Sequence, residues 1–242
     1  MIFNRIAGVF FMSFLKSLKP TKPAEVTAGD KKFYQITCLA GGGVALVSMV
    51  LLLIRLAGFG AAYVWSPLAL GLGCGAFFAL SYLRYQFPKI PVLQRFADAS
   101  VYFTIFGAYT PLALLLIRLD LYENGSIVCG WVLFGVIAFF SLLFFVASVL
   151  SERRFRLTGA FCYILMAFSL LFGVYALCNA LYFSHFLAIF LMIVTILAFA
   201  ASPVIYWFFD RHAWQMKVYY ILVAVGTFSA ALMTVLYAFL GR

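Results

Sequence analysis

Few side chains in this chain can do acid, base or metal chemistry, and two of them lie close together beside apolar sequence. Among 242 residues there are 7 Asp or Glu and 2 His. Arg84 ends one apolar stretch and Asp98 begins the next. The two groups can form an interfacial ion pair or extend separately towards lipid head groups. Alternatively they belong to a functional site, because ionisable groups at membrane depth usually have a function.

The histidines and cysteines form no metal-binding motif. His185 and His212 fall on opposite sides of the predicted membrane topology. A zinc site needs three or four clustered Cys, His or carboxylate ligands, and no Cys-x-x-Cys occurs here. The sequence therefore predicts no bound metal, and it assigns the cysteines to packing. The five cysteines are Cys38, Cys74, Cys129, Cys162 and Cys178.

The composition indicates that these side chains are positioned by helices in a membrane. Hydrophobic residues make up 67% of the chain and charged residues 10%, against roughly 45–50% and 25% in soluble domains. The apolar runs are continuous rather than alternating, which favours helices over a barrel. The net charge of +10 fits the basic cytoplasmic loops of membrane proteins better than a nucleic-acid partner. We therefore predict an all-α membrane protein whose partners are lipids.

Stretches free of charged residues predict seven membrane spans. A span needs about 20 apolar residues, and one charge-free stretch, 157–209, is long enough for two with a polar break near Asn179–His185. A basic, amphipathic segment at 1–32 precedes the membrane domain at 33–240, and its first 15 residues resemble an interfacial helix more than a signal peptide. The predicted spans are 33–54, 60–83, 97–117, 126–150, 157–179, 186–208 and 217–240.

The Lys and Arg residues predict the orientation of this seven-helix bundle. One side of the predicted membrane carries 14 of the 17 Lys and Arg residues. The positive-inside rule then places the N-terminus in the cytoplasm and the C-terminus outside. Lys217, at the start of the seventh span, is expected to extend towards the head groups on the cytoplasmic side.

Small residues and prolines predict how the helices pack. Gly71, Gly75 and Ala79 share one face of the second span, which permits close approach of a neighbouring helix. Pro111 cannot donate to the carbonyl of Gly107, so a kink with a hydroxyl-satisfied backbone is expected there. Ser202-Pro203 predicts a similar interruption of the sixth span. Such kinks also line cavities in other membrane proteins.

The third span resembles that of the hemolysin III family, the bacterial branch of the progestin and adiponectin-type receptor superfamily. The resemblance is carried by Tyr102 and by Gly107-x-Tyr109-Thr110-Pro111. It implies a seven-helix bundle in a bacterial inner membrane, with a zinc site near the cytoplasmic mouth. The chemistry proposed for such sites is attack of metal-activated water on a lipid amide.

The chain departs from this family at the zinc ligands. Ser81 matches the end of the second span, but Tyr85 replaces the histidine that should follow it. Met216 and Tyr220 stand at the histidine positions of the seventh span, and Asp98 lies one residue beyond the family's carboxylate position. The resemblance therefore predicts a divergent member that has lost its zinc site, with no cofactor.

These observations favour a non-enzymatic membrane protein that binds a lipid or small hydrophobic ligand, or acts in membrane homeostasis. One alternative is a zinc-dependent lipid amide hydrolase with an unrecognised ligand set. Another is a transporter or pore, although no span centre carries a charge for an ion relay. The residues predicted to line the ligand cavity are Ser81, Arg84, Tyr85, Asp98, Tyr109, Met216 and Tyr220.

Overall fold

The structure, a computed structural model, is all-helical in the part of the chain that it describes. That part comprises residues 27–56, 58, 61–117, 128–150, 163–164, 166–167, 186–208 and 213–240. Residues 163–164 and 166–167 are helical. The longer helices are α1 (Ala28–Leu56), α2 (Ala61–Gln86), α3 (Pro91–Ala99), α4 (Val101–Pro111), α5 (Val128–Leu150), α6 (Phe186–Pro203) and α7 (Ala213–Leu240).

Among the described residues, five helical segments are long and apolar enough to cross a membrane, which confirms the predicted all-helical fold and is compatible with a membrane protein. Large apolar side chains point outward from them, such as Ile54, which is 79% exposed, and Phe190, which is 52% exposed. Such surfaces are stable only against lipid or another apolar partner. The five segments are Ala28–Leu56, Tyr63–Gln86, Gly130–Val149, Ile189–Tyr206 and Trp214–Leu236.

These five segments correspond to the first, second, fourth, sixth and seventh predicted spans. Most of the fifth predicted span lies outside the described residues, and so does nearly all of the N-terminal segment. The third predicted span is present as two helices, α3 and α4, and a π-helical extension over Leu112–Ile117. The count of seven spans and the orientation of the termini stay predictions.

The first helix begins five residues before the predicted span because Thr27 caps it. The backbone N–H of Asp30 donates to Thr27 Oγ1 at 3.2 Å, and the Thr27 hydroxyl donates to Asp30 Oδ2 at 2.7 Å. Together they form a reciprocal cap resembling the capping box. The cap extends α1 beyond the apolar run.

The third predicted span changes direction at Ser100, between α3 and α4. The Ser100 hydroxyl donates to the carbonyl of Ala97 at 2.8 Å, and the Phe103 N–H bonds to the Ser100 carbonyl at 2.9 Å. These short-range bonds replace the regular α-helical pattern. The helix α3 begins at Pro91, before the predicted start of the third span at residue 97, and the fixed φ of proline suits the first helical position.

Both predicted proline interruptions are present, and each takes the same form. Directly after Pro111 and Pro203 the α-helix widens into a π-helix, over Leu112–Ile117 and Val204–Phe208. Proline removes one helical N–H, so the hydrogen-bond register shifts there. The Thr110 hydroxyl donates to the carbonyl of Phe106 at 2.6 Å; hydroxyl bonding to the Gly107 carbonyl, the group that Pro111 leaves without a donor, stays a prediction.

Glycines allow close contacts between helices, both at the stripe predicted from the sequence and at a glycine that was not predicted. A Cβ on Gly71 would meet Met49 of α1 at 2.4 Å, which confirms close packing at that stripe. The tightest contact between backbones lies on the other side of α2, at Gly73. A Cβ there would lie 2.7 Å from the Phe103 carbonyl oxygen and 2.9 Å from Gly107 Cα of α4. Glycine therefore fixes how closely α2 and α4 pack.

Candidate functional site

One end of the bundle gathers the ionisable side chains, and we call it the basic end: α1, α3 and α7 begin there, and α2 and α6 finish there. Arg84 Nη1 donates to Asp98 Oδ1, and the Tyr206 hydroxyl donates to the same oxygen. The side chains of Arg84 and Asp98 are 17% and 29% exposed. One carboxylate oxygen thus joins α2, α3 and the π-helix that follows α6.

A tight turn brings Arg84 and Asp98 together. The Phe87 N–H bonds to the Leu83 carbonyl at 2.8 Å and the Ile90 N–H to the Phe87 carbonyl at 3.2 Å, so α2 is followed almost at once by α3. Both charged groups therefore lie at the same depth. The sequence allowed the two groups either to pair or to extend separately towards the head groups, and in the structure they pair.

A second ion pair closes the bundle between its first and last helices. Lys217 Nζ lies 2.6 Å from Asp30 Oδ1, and the Lys217 side chain is 38% exposed. The ammonium also lies 5.7 Å from the centre of the Phe33 ring, within the range of a cation–π contact. Lys217 therefore pairs with a carboxylate of α1 and does not extend freely to the head groups.

Five tyrosines pack between these two ion pairs, and we call them the tyrosine cluster: Tyr34, Tyr85, Tyr206, Tyr219 and Tyr220. Tyr34 stacks on Tyr85 with ring centres 4.6 Å apart. Tyr220 contacts both, at 5.5 and 5.9 Å. Tyr206 and Tyr219 pack at 4.8 Å. Offset and edge contacts of this kind stabilise a core beyond the area they bury.

Six of the seven predicted cavity residues contact one another or lie within one helical turn of those contacts. Arg84 pairs with Asp98, and Tyr85 contacts Tyr220. Met216 is buried one turn before Tyr220. Ser81 is also buried, one turn before Tyr85.

Tyr109 lies apart from the other six predicted cavity residues. Its hydroxyl donates to the Ala167 carbonyl at 2.8 Å, and its ring packs on Phe199 with centres 6.1 Å apart. Eleven residues separate it from Asp98, which is roughly 16 Å along a helical path. It belongs to the packing of the bundle interior.

The sequence analysis did not select Asp30, Tyr34, Tyr206 or Tyr219. A usable signal existed for Asp30, because it lies at the same predicted membrane face as Lys217. No such signal existed for the three tyrosines, since the chain has 14 and most occur in apolar runs. Their convergence depends on how each helix is rotated.

An open groove of about 680 Å³ lies between α1 and α2. Its rim carries Leu39, Leu46 and Leu72, which are 63%, 48% and 63% exposed. A volume of this size is within the range of small-molecule sites. None of the seven predicted cavity residues lines it. Its lining residues are Cys38, Leu39, Gly42, Gly43, Leu46, Gly71, Leu72, Gly75, Ala76, Phe78, Ala79, Tyr82 and Leu83.

Glycine residues, which have no side chain, leave this groove open. A Cβ added to Gly43 would meet nothing within 4 Å, and one added to Gly75 would meet only Leu46 Cδ2 at 3.9 Å. Both glycines thus face open space, whereas Gly71 is covered by Met49. The groove is able to hold an apolar chain, and its polar side chains are Cys38 and Tyr82.

The described residues at the basic end do not fit a zinc ion. No three His, Cys, Asp or Glu side chains lie close enough for one in the part of the chain that the structure describes, and zinc needs at least three such ligands. Asp98 already accepts bonds from Arg84 and Tyr206. His185 and His212 lie outside the described residues.

Comparison of the chain with known proteins finds no matching family model, no matching curated protein and no matching solved structure. The fold defines a helical protein with five membrane-length helices in the part of the chain that the structure describes.

Proposed function

We propose that this chain is a non-enzymatic integral membrane protein that binds a lipid or another hydrophobic ligand, with a role in membrane homeostasis. The groove between α1 and α2 carries this proposal. It is apolar and large enough for part of a lipid, and it opens towards the region that the exposed leucines assign to hydrocarbon.

The groove, rather than the predicted mouth, provides the ligand volume in this proposal. At the basic end the side chains expected to line a cavity contact each other, through the Arg84–Asp98 pair and the tyrosine cluster. These contacts support a role for that end in holding the helices together. The hydrolase alternative stays open, because it depends on His212, which lies outside the described residues.

We further propose seven spans with the N-terminus in the cytoplasm of a bacterial cell. The end of α5 lies at the basic end, where Phe145 packs on Phe96 of α3. The end of α6 lies there too, because Tyr206 reaches Asp98. The start of α6 is therefore at the opposite end, which supports one more crossing between α5 and α6, as predicted at 157–179.

Kinship with the hemolysin III family remains part of this proposal. It rests on the motif at the third span, and two motif residues have structural roles in the bundle. Gly107 allows the close approach of α2, and the Tyr109 hydroxyl bonds to the Ala167 carbonyl. Such roles are compatible with a shared bundle whose former metal positions have changed.

The test is to purify the full chain in a mild detergent and to measure its lipid and zinc content by mass spectrometry. We expect one or more lipids retained per chain after extensive washing, and zinc far below one per chain. Zinc at one per chain, retained through the same washing, would contradict a non-enzymatic protein without a metal. Complete loss of lipid and of every other hydrophobic ligand would contradict the ligand-binding role.

A further inference from the structure

We propose that the groove between α1 and α2 binds one acyl chain of an anionic phospholipid, with the phosphate beside Lys32 at the basic end. This inference rests on the proposed ligand-binding function and names the class of ligand. It is argued from the length of the groove, from the charge at its end and from the glycines that leave it open.

The length of the groove matches one leaflet of a bilayer. On α2 it runs from Gly71 to Leu83, which is about 18 Å at 1.5 Å per residue. Half of a hydrocarbon core is about 15 Å thick. An extended acyl chain lying along the groove would therefore remain within one leaflet, and its head group would lie at the basic end.

A positive charge stands at that end, on the same face of α1 as the groove. Lys32, Leu39 and Leu46 are spaced by seven residues, so that each lies about 20° from the next around the helix and Lys32 about 40° from Leu46. Lys32 is exposed and has no carboxylate partner among the residues that the structure describes. A phosphate at the membrane surface supplies the missing negative charge.

The α2 side of the same end adds neutral hydrogen-bonding groups. Tyr82 lines the groove, and Gln86 Nε2 donates to its hydroxyl at 3.4 Å. Both side chains are at least partly exposed. A tyrosine with an apolar ring in the groove and a polar tip at its end suits the boundary between acyl chain and head group.

A lipid fits this groove better than a second helix does. The helix-pairing stripe predicted on α2 is incomplete, because Met49 of α1 covers Gly71. The part of the stripe that Met49 leaves uncovered lies in a concave groove, which is bounded by both α1 and α2. A flexible acyl chain is able to follow such a surface, whereas a paired helix needs a continuous row of small residues.

The variants exploit two glycines at which a side chain meets no obstacle. Gly43→Leu and Gly75→Leu each place a side chain in the groove from opposite walls. The matched control is Gly135→Leu on α5, where an added Cβ also meets nothing within 4 Å but lies outside the groove. Lys32→Gln removes the charge, with Lys89→Gln in the turn before α3 as its control.

The experiment is native mass spectrometry of the delipidated full chain in detergent, titrated separately with dioleoyl phosphatidylglycerol and dioleoyl phosphatidylcholine. We expect wild type and Gly135→Leu to bind phosphatidylglycerol first. Gly43→Leu and Gly75→Leu should weaken that binding on the order of ten-fold. Lys32→Gln should reduce the preference for phosphatidylglycerol about five-fold, the effect of one basic side chain near a membrane surface, while Lys89→Gln should retain it.

Thermal unfolding confirms that each variant is folded before binding is compared. If both groove variants bind phosphatidylglycerol as Gly135→Leu does, the groove assignment is wrong even though the ligand-binding function survives. If they abolish a dimer instead of lipid binding, the occupant is a second copy of the chain. If the wild type binds neither lipid, the phospholipid assignment is wrong, and the proposed function fails as well if the purified chain retains no other hydrophobic ligand.

Discussion

At the scale of single residues, the carboxylate of Asp98 joins partners that are far apart in the chain. Arg84 and Tyr206 both donate to one of its oxygens, so three segments depend on one carboxylate. The sequence indicated the pairing with Arg84, because both groups lie at the same predicted membrane face. It did not indicate Tyr206, which reaches the site from a π-helical turn after Pro203.

The first prediction concerns this ion pair. Asp98→Asn should lower the free energy of unfolding by about 1–2 kcal/mol, because it leaves the Arg84 charge unpaired in a partly buried site. This value lies between the energy of a surface ion pair and the cost of breaking a buried one. Thermal and denaturant unfolding in detergent measure the change. Lys89→Gln, an exposed control at the same end, should leave stability unchanged.

A double variant separates charge pairing from packing. Arg84→Met with Asp98→Leu should recover much of the loss, since it removes both charges together. Stability of Asp98→Asn equal to that of the wild type would contradict the assignment of the pair as a stabilising link between α2 and α3.

At the scale of elements, the two faces of α2 contact different helices. Gly71 and Gly75 lie on one face, and Gly73 lies about 200° away from Gly71 around the helix. The first face contacts α1 and forms the groove, while Gly73 meets the backbone of α4. Spacing alone identified the first face because small residues recur there every fourth position. A single glycine on the opposite face carries no such pattern.

The second prediction compares two glycines in neighbouring helices. Gly73→Ala should destabilise the protein by about 1–3 kcal/mol, as overpacking does, because its Cβ would lie 2.7 Å from a backbone oxygen that cannot rotate away. Gly43→Ala should be neutral or stabilising, since alanine favours helix and its Cβ meets nothing within 4 Å. Thermal unfolding of both in the same detergent measures the difference, and equal midpoints would contradict the close contact between α2 and α4.

At the scale of the whole molecule, the ionisable residues are concentrated at one end and the apolar residues face outward. Both ion pairs and the tyrosine cluster lie at the basic end, and they join α1, α2, α3, α7 and the turn after α6. Aromatic and ionic contacts at a bundle end resist separation of the helices, whereas the groove between α1 and α2 leaves space between the two helices.

The third prediction concerns topology. Fluorescent protein fused at the N-terminus should be fluorescent, and alkaline phosphatase fused after Arg242 should be active, when the fusions are expressed in bacteria. This follows from the excess of Lys and Arg at one membrane face, which keeps that face in the cytoplasm. Swapping the two reporters between the termini should silence both. If the reporters place both termini on the same side of the membrane, the odd number of spans is contradicted.

The sequence alone determined that this is a helical membrane protein, because each apolar run of about 20 residues must lie in hydrocarbon whatever its neighbours do. It also located the prolines that interrupt two helices, since proline acts on its own backbone. The meeting of Asp30 with Lys217, the tyrosine cluster and the groove were decided only by the tertiary structure. These features depend on the rotation of each helix about its axis, which is set by packing between helices and leaves no mark in composition or spacing.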